Sequence, residues 1–345
     1  MVKLFAKKII LFIFFLSGVT AILNIVGNKA GSIYKDGASI ICESKRNFVR
    51  SGNLIYTENN KNILFMGNSR VLSGIQPLLF DSLSGGETLS YNLALPALSI
   101  GPYYFQLRDY LENYPPPDCI LLELKINTGR NLALFDHYAN QGTSGWKEMY
   151  SYLLNVENKG AVLNYFFPIR MYKNYIPKYL LYSIFDHDAL SKTHKHNMSI
   201  VNQMMADRGY YLIKEQALFP DLRLPEGYGI KKRERAKKGF QFDPFKDPYV
   251  KKFFNLTQER KIRVQLIQPV YRINQFLQYE TVPYQFQIIL EKFKNVIVAP
   301  NGWKAKFYDN SYFADLVHLN PEGAQRYTRE IFSEFKQSWI IGDNK

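Results

Sequence analysis

The stretch Ile63-Leu64-Phe65-Met66-Gly67-Asn68-Ser69-Arg70 constrains this chain more than any other. Four consecutive apolar residues ahead of turn residues make a short buried strand. Gly67 lets the backbone turn sharply, and the turn delivers Ser69 to the carboxyl end of that strand, where open parallel sheets bind their ligands. A serine in that position has an exposed hydroxyl close to backbone N–H groups that can receive an anion. Gly67, Asn68 and Ser69 are also ordinary turn formers. On this stretch alone, both readings stand.

The second constraint lies far downstream, at Asp315-Leu316-Val317-His318-Leu319-Asn320. A serine hydroxyl is a weak nucleophile until a base takes its proton and a third group orients the base. Asp315 and His318 are close enough on one turn for the carboxylate to meet the imidazole Nδ1–H, which leaves Nε2 free to face Ser69. Asn320 is a good helix N-cap, Pro321 suits the first helical position and Glu322 the first turn. His318 is therefore expected on a loop immediately before the final helix.

Between these points the chain alternates strand and helix. Ile63–Met66 is the first strand, Leu89–Leu95 the second and Cys119–Ile126 the third, with a helix beginning at Pro77 and another over Ile100–Asn113. The pattern resumes with a strand in Lys261–Pro269, a helix around Tyr284–Phe293, a strand at Val296–Val298 and a last helix from Pro321 to about Ser338. Alternation at these lengths predicts a parallel sheet with right-handed crossovers. From Thr128 to about Arg260 it fails. That stretch, with aromatic-rich helices at Leu153–Phe167 and Ile176–Phe185, a turn at Asp207–Tyr210 and a basic run at Lys231–Lys238, reads as an insertion or lid. The basic run reads as a solvated helix face or as a contact for an anionic polymer.

With serine after the first strand and Asp-x-x-His before the last helix, the chain resembles the SGNH (GDSL-type) hydrolase family over about residues 62–338. Gly67-Asn68-Ser69 stands where that family has Gly-Asp-Ser. The resemblance implies a three-layer α/β/α, flavodoxin-like parallel sheet with Ser69 as nucleophile, His318 as base and Asp315 as its orienter. It also implies an oxyanion hole from the N–H groups of Ser69 and Ala97 and the side chain of Asn127. Ala97, in Asn92-Leu93-Ala94-Leu95-Pro96-Ala97, stands where the family has glycine. Asn127, in Lys125-Ile126-Asn127-Thr128, falls where Gly-x-Asn-Asp is expected, and it is equally readable as a strand-end residue. Asn68 in place of Asp keeps the turn's hydrogen bonds but drops a negative charge. Glu123 reads as a buried, paired carboxylate with no assigned role. No cofactor is implied.

Eighteen uncharged residues, Ile9–Val26, follow Lys3, Lys7 and Lys8. They suffice to span a bilayer, with the basic flank kept in the cytoplasm and the main domain outside. The alternative is a cleaved signal peptide ending near Val19-Thr20-Ala21. The organisation expected is a cytoplasmic tip and signal anchor (1–26), a linker (27–60), the first part of the core (61–127), the insertion (128–260), the second part of the core (261–338) and a tail (339–345). A hydrophobic content of 46% excludes a disordered chain. The net charge of +14 favours acidic partners, and an extracytoplasmic site disfavours nucleic acid. The two cysteines, Cys42 and Cys119, suggest neither a disulfide framework nor a metal site, and the scattered histidines show no ligand spacing.

Exported single-pass members of the family resemble the enzymes that O-acylate surface polysaccharides, such as the alginate O-acetyltransferases and the teichoic-acid D-alanylation protein DltD. The partners so implied are an acyl donor, a surface polysaccharide and a multi-pass membrane acyltransferase. A simple esterase or lipase, and a non-catalytic polymer-binding module on the same fold, are the alternatives.

Overall fold

The computed structural model describes residues 2–34, 37–52, 54, 56–96, 100–124, 176–229, 243–268, 270–273, 284–299 and 306–342. Ala97, Asn127, the Leu153–Phe167 stretch and the Lys231–Lys238 run lie outside them.

The chain opens with two helices, α1 (Val2–Tyr34) and α2 (Gly37–Arg50). Then come β1 (Lys61–Met66), α3 (Ser69–Leu72), α4 (Pro77–Leu83), β2 (Thr88–Asn92), α5 (Ile100–Asn113) and β3 (Cys119–Leu122). Helices α6 (Ile176–Phe185), α7 (His187–Ala206) and α8 (Pro248–Glu259) precede β4 (Arg263–Leu266) and β5 (Val270–Arg272). The last elements are α9 (Tyr284–Lys292), β6 (Val296–Val298), β7 (Lys306–Tyr308) and α10 (Pro321–Gly342).

Five strands form one parallel sheet in the order β2-β1-β3-β4-β6. Counted along the chain this is 2-1-3-4-5, one of the two common doubly wound orders, whose direction reverses between the first and third strands. The crevice expected to hold a ligand therefore opens outside the carboxyl ends of β1 and β3. Strands β5 and β7 pair separately, also in parallel. Both faces of the sheet are covered: Ile63, Phe65 and Met66 of β1 and Ile120, Leu121 and Leu122 of β3 are completely buried, and β2 buries its polar Thr88, Ser90 and Asn92 as well.

Two helix pairs pack with the sheet. Phe80 of α4 meets Phe65 of β1 edge-on at 5.0 Å and Phe332 of α10 at 5.2 Å. In the other pair, Tyr249 of α8 meets Phe105 of α5 at 5.3 Å. Asp247 caps α8, accepting from the Tyr249 N–H at 2.9 Å, and Pro248 occupies its first turn.

The described residues divide into two units. One holds those up to Glu43 together with 176–200; the other holds Ser44–Leu124 and those from Val201 onward. In the first, α6 packs against α1, and the side-chain amide of Asn197 on α7 donates to the carbonyl of Ile33 at 2.9 Å. Within α1, Lys7–Gly27 is long and apolar enough to cross a membrane, and nearly all of it is unburied. The second unit contains the sheet.

Much of the segment expected as a linker is helical, because it has buried partners. Lys45 of α2 is 2% exposed and donates from Nζ to the carbonyls of Asn92 and Ala94, each at 2.7 Å. Arg46 and Arg50 both reach the buried Asp109 carboxylate of α5, at 3.1 and 2.9 Å. Of the segment expected as an insertion, residues 176–200 group with α1, whereas 201–229 and 243–260 group with the sheet.

Candidate functional site

Gly67 ends β1, but not because it needs a left-handed backbone; its φ is not positive. A Cβ there would lie 2.5 Å from the Val71 Cγ2 and 2.9 Å from the Glu123 Cβ, so only glycine lets α3 turn back so close to β3. Asn68 then caps α3, its Oδ1 accepting from the Arg70 N–H at 2.8 Å. Its other end, Nδ2, donates to Oε1 of Glu123 at 2.7 Å, and Glu123 is 6% exposed at the carboxyl end of β3. An aspartate at 68 could cap α3 but could not donate to Glu123, and would set two carboxylates against each other. Asn68, with a donor and an acceptor, is matched to both of these partners.

The half-buried Ser69 follows as the first residue of α3. The N–H groups of Val71 and Leu72 both go to the Asn68 carbonyl, and that of Arg70 to its side chain. Among the described residues nothing accepts from the N–H of Ser69. Two more backbone segments run alongside. Leu95 N–H donates to the Gly67 carbonyl at 2.8 Å, and Glu123 N–H to that of Met66 at 2.9 Å. The other two expected oxyanion donors, Ala97 and Asn127, lie outside the described residues.

Asp315 and His318 occupy a tight loop before α10. It is closed by a bridge between Phe313 and Leu319 and by the Ala314 N–H donating to the His318 carbonyl at 2.9 Å. The two carboxylate oxygens of Asp315 do separate work. Oδ1 accepts from the N–H groups of Val317 and His318 at 2.6 and 2.7 Å, which fixes the loop. Oδ2 lies 2.6 Å from Nδ1 of His318, which fixes the ring. Both residues are buried, at 7% and 6% exposure. Burial alone would push the Asp315 carboxyl up, but the bonds and charge of His318, with the Val317 N–H, outweigh it and hold the group below its ordinary value. Asn320 caps α10, accepting from the Gly323 N–H at 2.9 Å.

The expected Asp315–His318 pair is thus formed. Ser69 is brought to the carboxyl end of β1, but no hydrogen bond joins its hydroxyl to the ring: Nε2 of His318 is buried and, among the described residues, has no partner. In an unliganded site such bonds are commonly long and tighten only on substrate.

Two arginines link the two loops. The Arg70 guanidinium lies over the Tyr271 ring at 4.9 Å. Its neighbour Arg272, 5% exposed, donates from Nη1 to the Tyr228 carbonyl at 3.0 Å. Burial lowers the Arg272 pKa, an effect partly offset by the Asp315 charge. The segment before Gly229 straps the histidine loop: the N–H groups of Leu218 and Leu224 donate to the carbonyls of Ala314 and Phe313 at 3.1 and 3.0 Å. Sequence reasoning passed over Arg272 and this strap. An arginine one residue past an apolar pair in Val270-Tyr271-Arg272 was the available signal.

Among the described residues no group of three or more His, Cys, Asp or Glu side chains is placed to hold a metal. Compared with protein-family models the chain matches none, and compared with curated proteins it likewise has no match.

Proposed function

We propose that this chain is a membrane-anchored, extracytoplasmic serine acyltransferase or esterase of the SGNH type, with helices layered on both faces of its sheet. The observation that carries the reading is the buried Asp315–His318 pair, joined at 2.6 Å with Nε2 unpartnered on the loop that precedes the last helix. Its counterpart, Ser69, starts α3 at the sheet's point of reversal.

In this reading His318 Nε2 takes the Ser69 proton as Oγ attacks the acyl carbonyl. The oxyanion is received by the Ser69 N–H, with the Ala97 N–H and the Asn127 amide as the proposed second and third donors; one such donor is worth roughly 3 kcal/mol. His318 returns the proton to the leaving oxygen, which frees the alcohol and leaves an acyl-Ser69 ester. A second hydroxyl, deprotonated in turn by His318, attacks that ester and regenerates the serine. Asp315 holds the tautomer throughout.

A surface polysaccharide is the proposed acceptor, and a multi-pass membrane acyltransferase the proposed source of the acyl group. Support comes from the apolar span in α1, the net charge of +14 and the 50 Tyr and Phe residues, which suit an acidic sugar polymer. Positioning an acceptor hydroxyl is worth up to roughly 7–11 kcal/mol, enough to outcompete water.

The test supplies purified full-length protein with a chromogenic acyl ester, with and without surface polysaccharides, and follows free acid, acylated polymer and acid-quenched acyl-protein. Acyl-Ser69 and acylated polymer are expected. Acyl-Ser69 with free acid alone would identify an esterase. No acyl-protein and no turnover would leave a polymer-binding module.

A further inference from the structure

Helix α6 has the sequence Ile-Pro-Lys-Tyr-Leu-Leu-Tyr-Ser-Ile-Phe, and not one of its residues is buried. Leu180, Leu181, Ile184 and Phe185 are 43, 54, 70 and 78% exposed. Spaced as i, i+1, i+4 and i+5, they form one continuous apolar face. A helix of 10 residues is about 15 Å long, too short to span a bilayer of about 30 Å. An apolar helix of that length is either a core element or an interfacial one. Its exposure removes the first alternative.

Its place in the unit says what covers the face. Helix α6 packs against α1, whose apolar stretch ends at Gly27. Asn197 of α7 is bonded to Ile33, about 9 Å beyond that end at the helical rise per residue. From Asn197 back to the start of α7 is about 15 Å more, and α6 precedes α7 directly. Helix α6 therefore lies in the same unit as the apolar span and packs on the helix that carries it. Its remaining side chains are those of a headgroup boundary: Tyr179 and Tyr182, with the Lys178 ammonium 5.5 Å from the Tyr182 ring, and no acidic residue.

We propose that α6 is a second membrane element, lying in the bilayer interface beside α1 with Leu180, Leu181, Ile184 and Phe185 in the acyl-chain boundary. It gives the chain two points of membrane contact rather than one. The inference rests on the proposed reading of α1 as a membrane span.

The experiment uses the wild-type full chain reconstituted in vesicles of phosphatidylcholine and phosphatidylglycerol that contain a lipid with a diazirine on its acyl chain. After irradiation and trypsin digestion, label is mapped by mass spectrometry. The peptide Tyr179–Lys192 should carry label at the four apolar positions, roughly tenfold more than the α7 peptide His196–Arg208, alongside strong labelling of the Ile9–Val26 stretch. Labelled α1 with Tyr179–Lys192 no more labelled than His196–Arg208 would overturn the inference and leave the anchor standing. The same outcome is required if the face binds a protein instead, since the vesicles contain none. Absence of label from both helices would overturn the anchor, and the inference with it.

Discussion

The loop that leaves β1 and the loop that enters α10 each end in an asparagine-capped helix, yet they hold their reactive groups in opposite ways. In the second, the reactive side chains are themselves the fastening: Asp315 ties two backbone N–H groups and the His318 ring in one buried cluster. In the first, the fastening is done by Asn68 and Glu123, and the Ser69 side chain carries none of it. The histidine is thus oriented before any ligand arrives, while the serine is only located. Losing the aspartate should cost stability as well as chemistry; losing the serine hydroxyl should cost chemistry alone.

The largest effect expected is on turnover. If Ser69 and His318 are the nucleophile and base proposed above, Ser69→Ala and His318→Ala should each lower kcat on an acyl ester by about 10⁵–10⁶-fold, and the double variant should lose no more than either, because such a pair acts as one unit. Additive losses would mean that the two loops do not work together. Next in size is the contrast in stability itself, read from urea midpoints. Asp315→Ala should cost about 3 kcal/mol, since it strands the buried His318 N–H, the half-buried Val317 N–H and the ring. Ser69→Ala should stay within about 0.5 kcal/mol of the parent. Equal losses would erase the distinction between the loops.

A smaller effect sharpens the serine side. Asn68→Asp should destabilise by roughly 1–3 kcal/mol through the facing Glu123 carboxylate, and adding Glu123→Gln should recover most of it, because a glutamine amide can donate to the new aspartate. Failure of the second change to rescue would remove Glu123 as the reason for Asn68. The smallest effect is with pH. The folded Asp315 carboxyl titrates below its ordinary 3.8, so its contribution to stability is complete above that value and is lost as pH falls through the lower, folded one. Chemical denaturation across the acid limb should be flatter in Asp315→Asn, and an unchanged limb would show that the pairing leaves no imprint on stability.

Much of this was legible from the chain because it is local. The strands β1, β3 and β6 are short apolar runs between turn residues, and β4 alternates apolar and polar residues. The α10 cap is written in Asn320-Pro321, and Asp-x-x-His meets within one turn. What escaped is non-local or masked by polarity. Helix α2 looked like a linker because Lys45, Arg46 and Arg50 read as solvated, and only the folded unit supplies the Asn92 and Ala94 carbonyls and the Asp109 carboxylate of α5 to receive them. Helix α8 carries an Asp247-Pro248 signal as plain as that of α10, but it sits in a stretch with no alternation around it. The Asn68–Glu123 bond joins two strand ends whose proximity depends on the β1–β3 register, which no single segment encodes. Strands β5 and β7, three residues each, lack even the all-apolar run that marks β6.

The register of the sheet also sets a timetable for synthesis. β3 pairs with β4 from Cys119↔Arg263 to Leu122↔Leu266, so its second edge stays unsatisfied while the ribosome adds about 140 residues, roughly 7–28 s at 5–20 residues per second. During that interval Cys119-Ile120-Leu121-Leu122 is an apolar strand with an open row of N–H and C=O groups, the kind of edge that pairs with a neighbouring nascent chain. Parallel pairings this distant in sequence close late. The growing chain therefore needs something other than its own sheet to shield β3 until Arg263–Leu266 emerges.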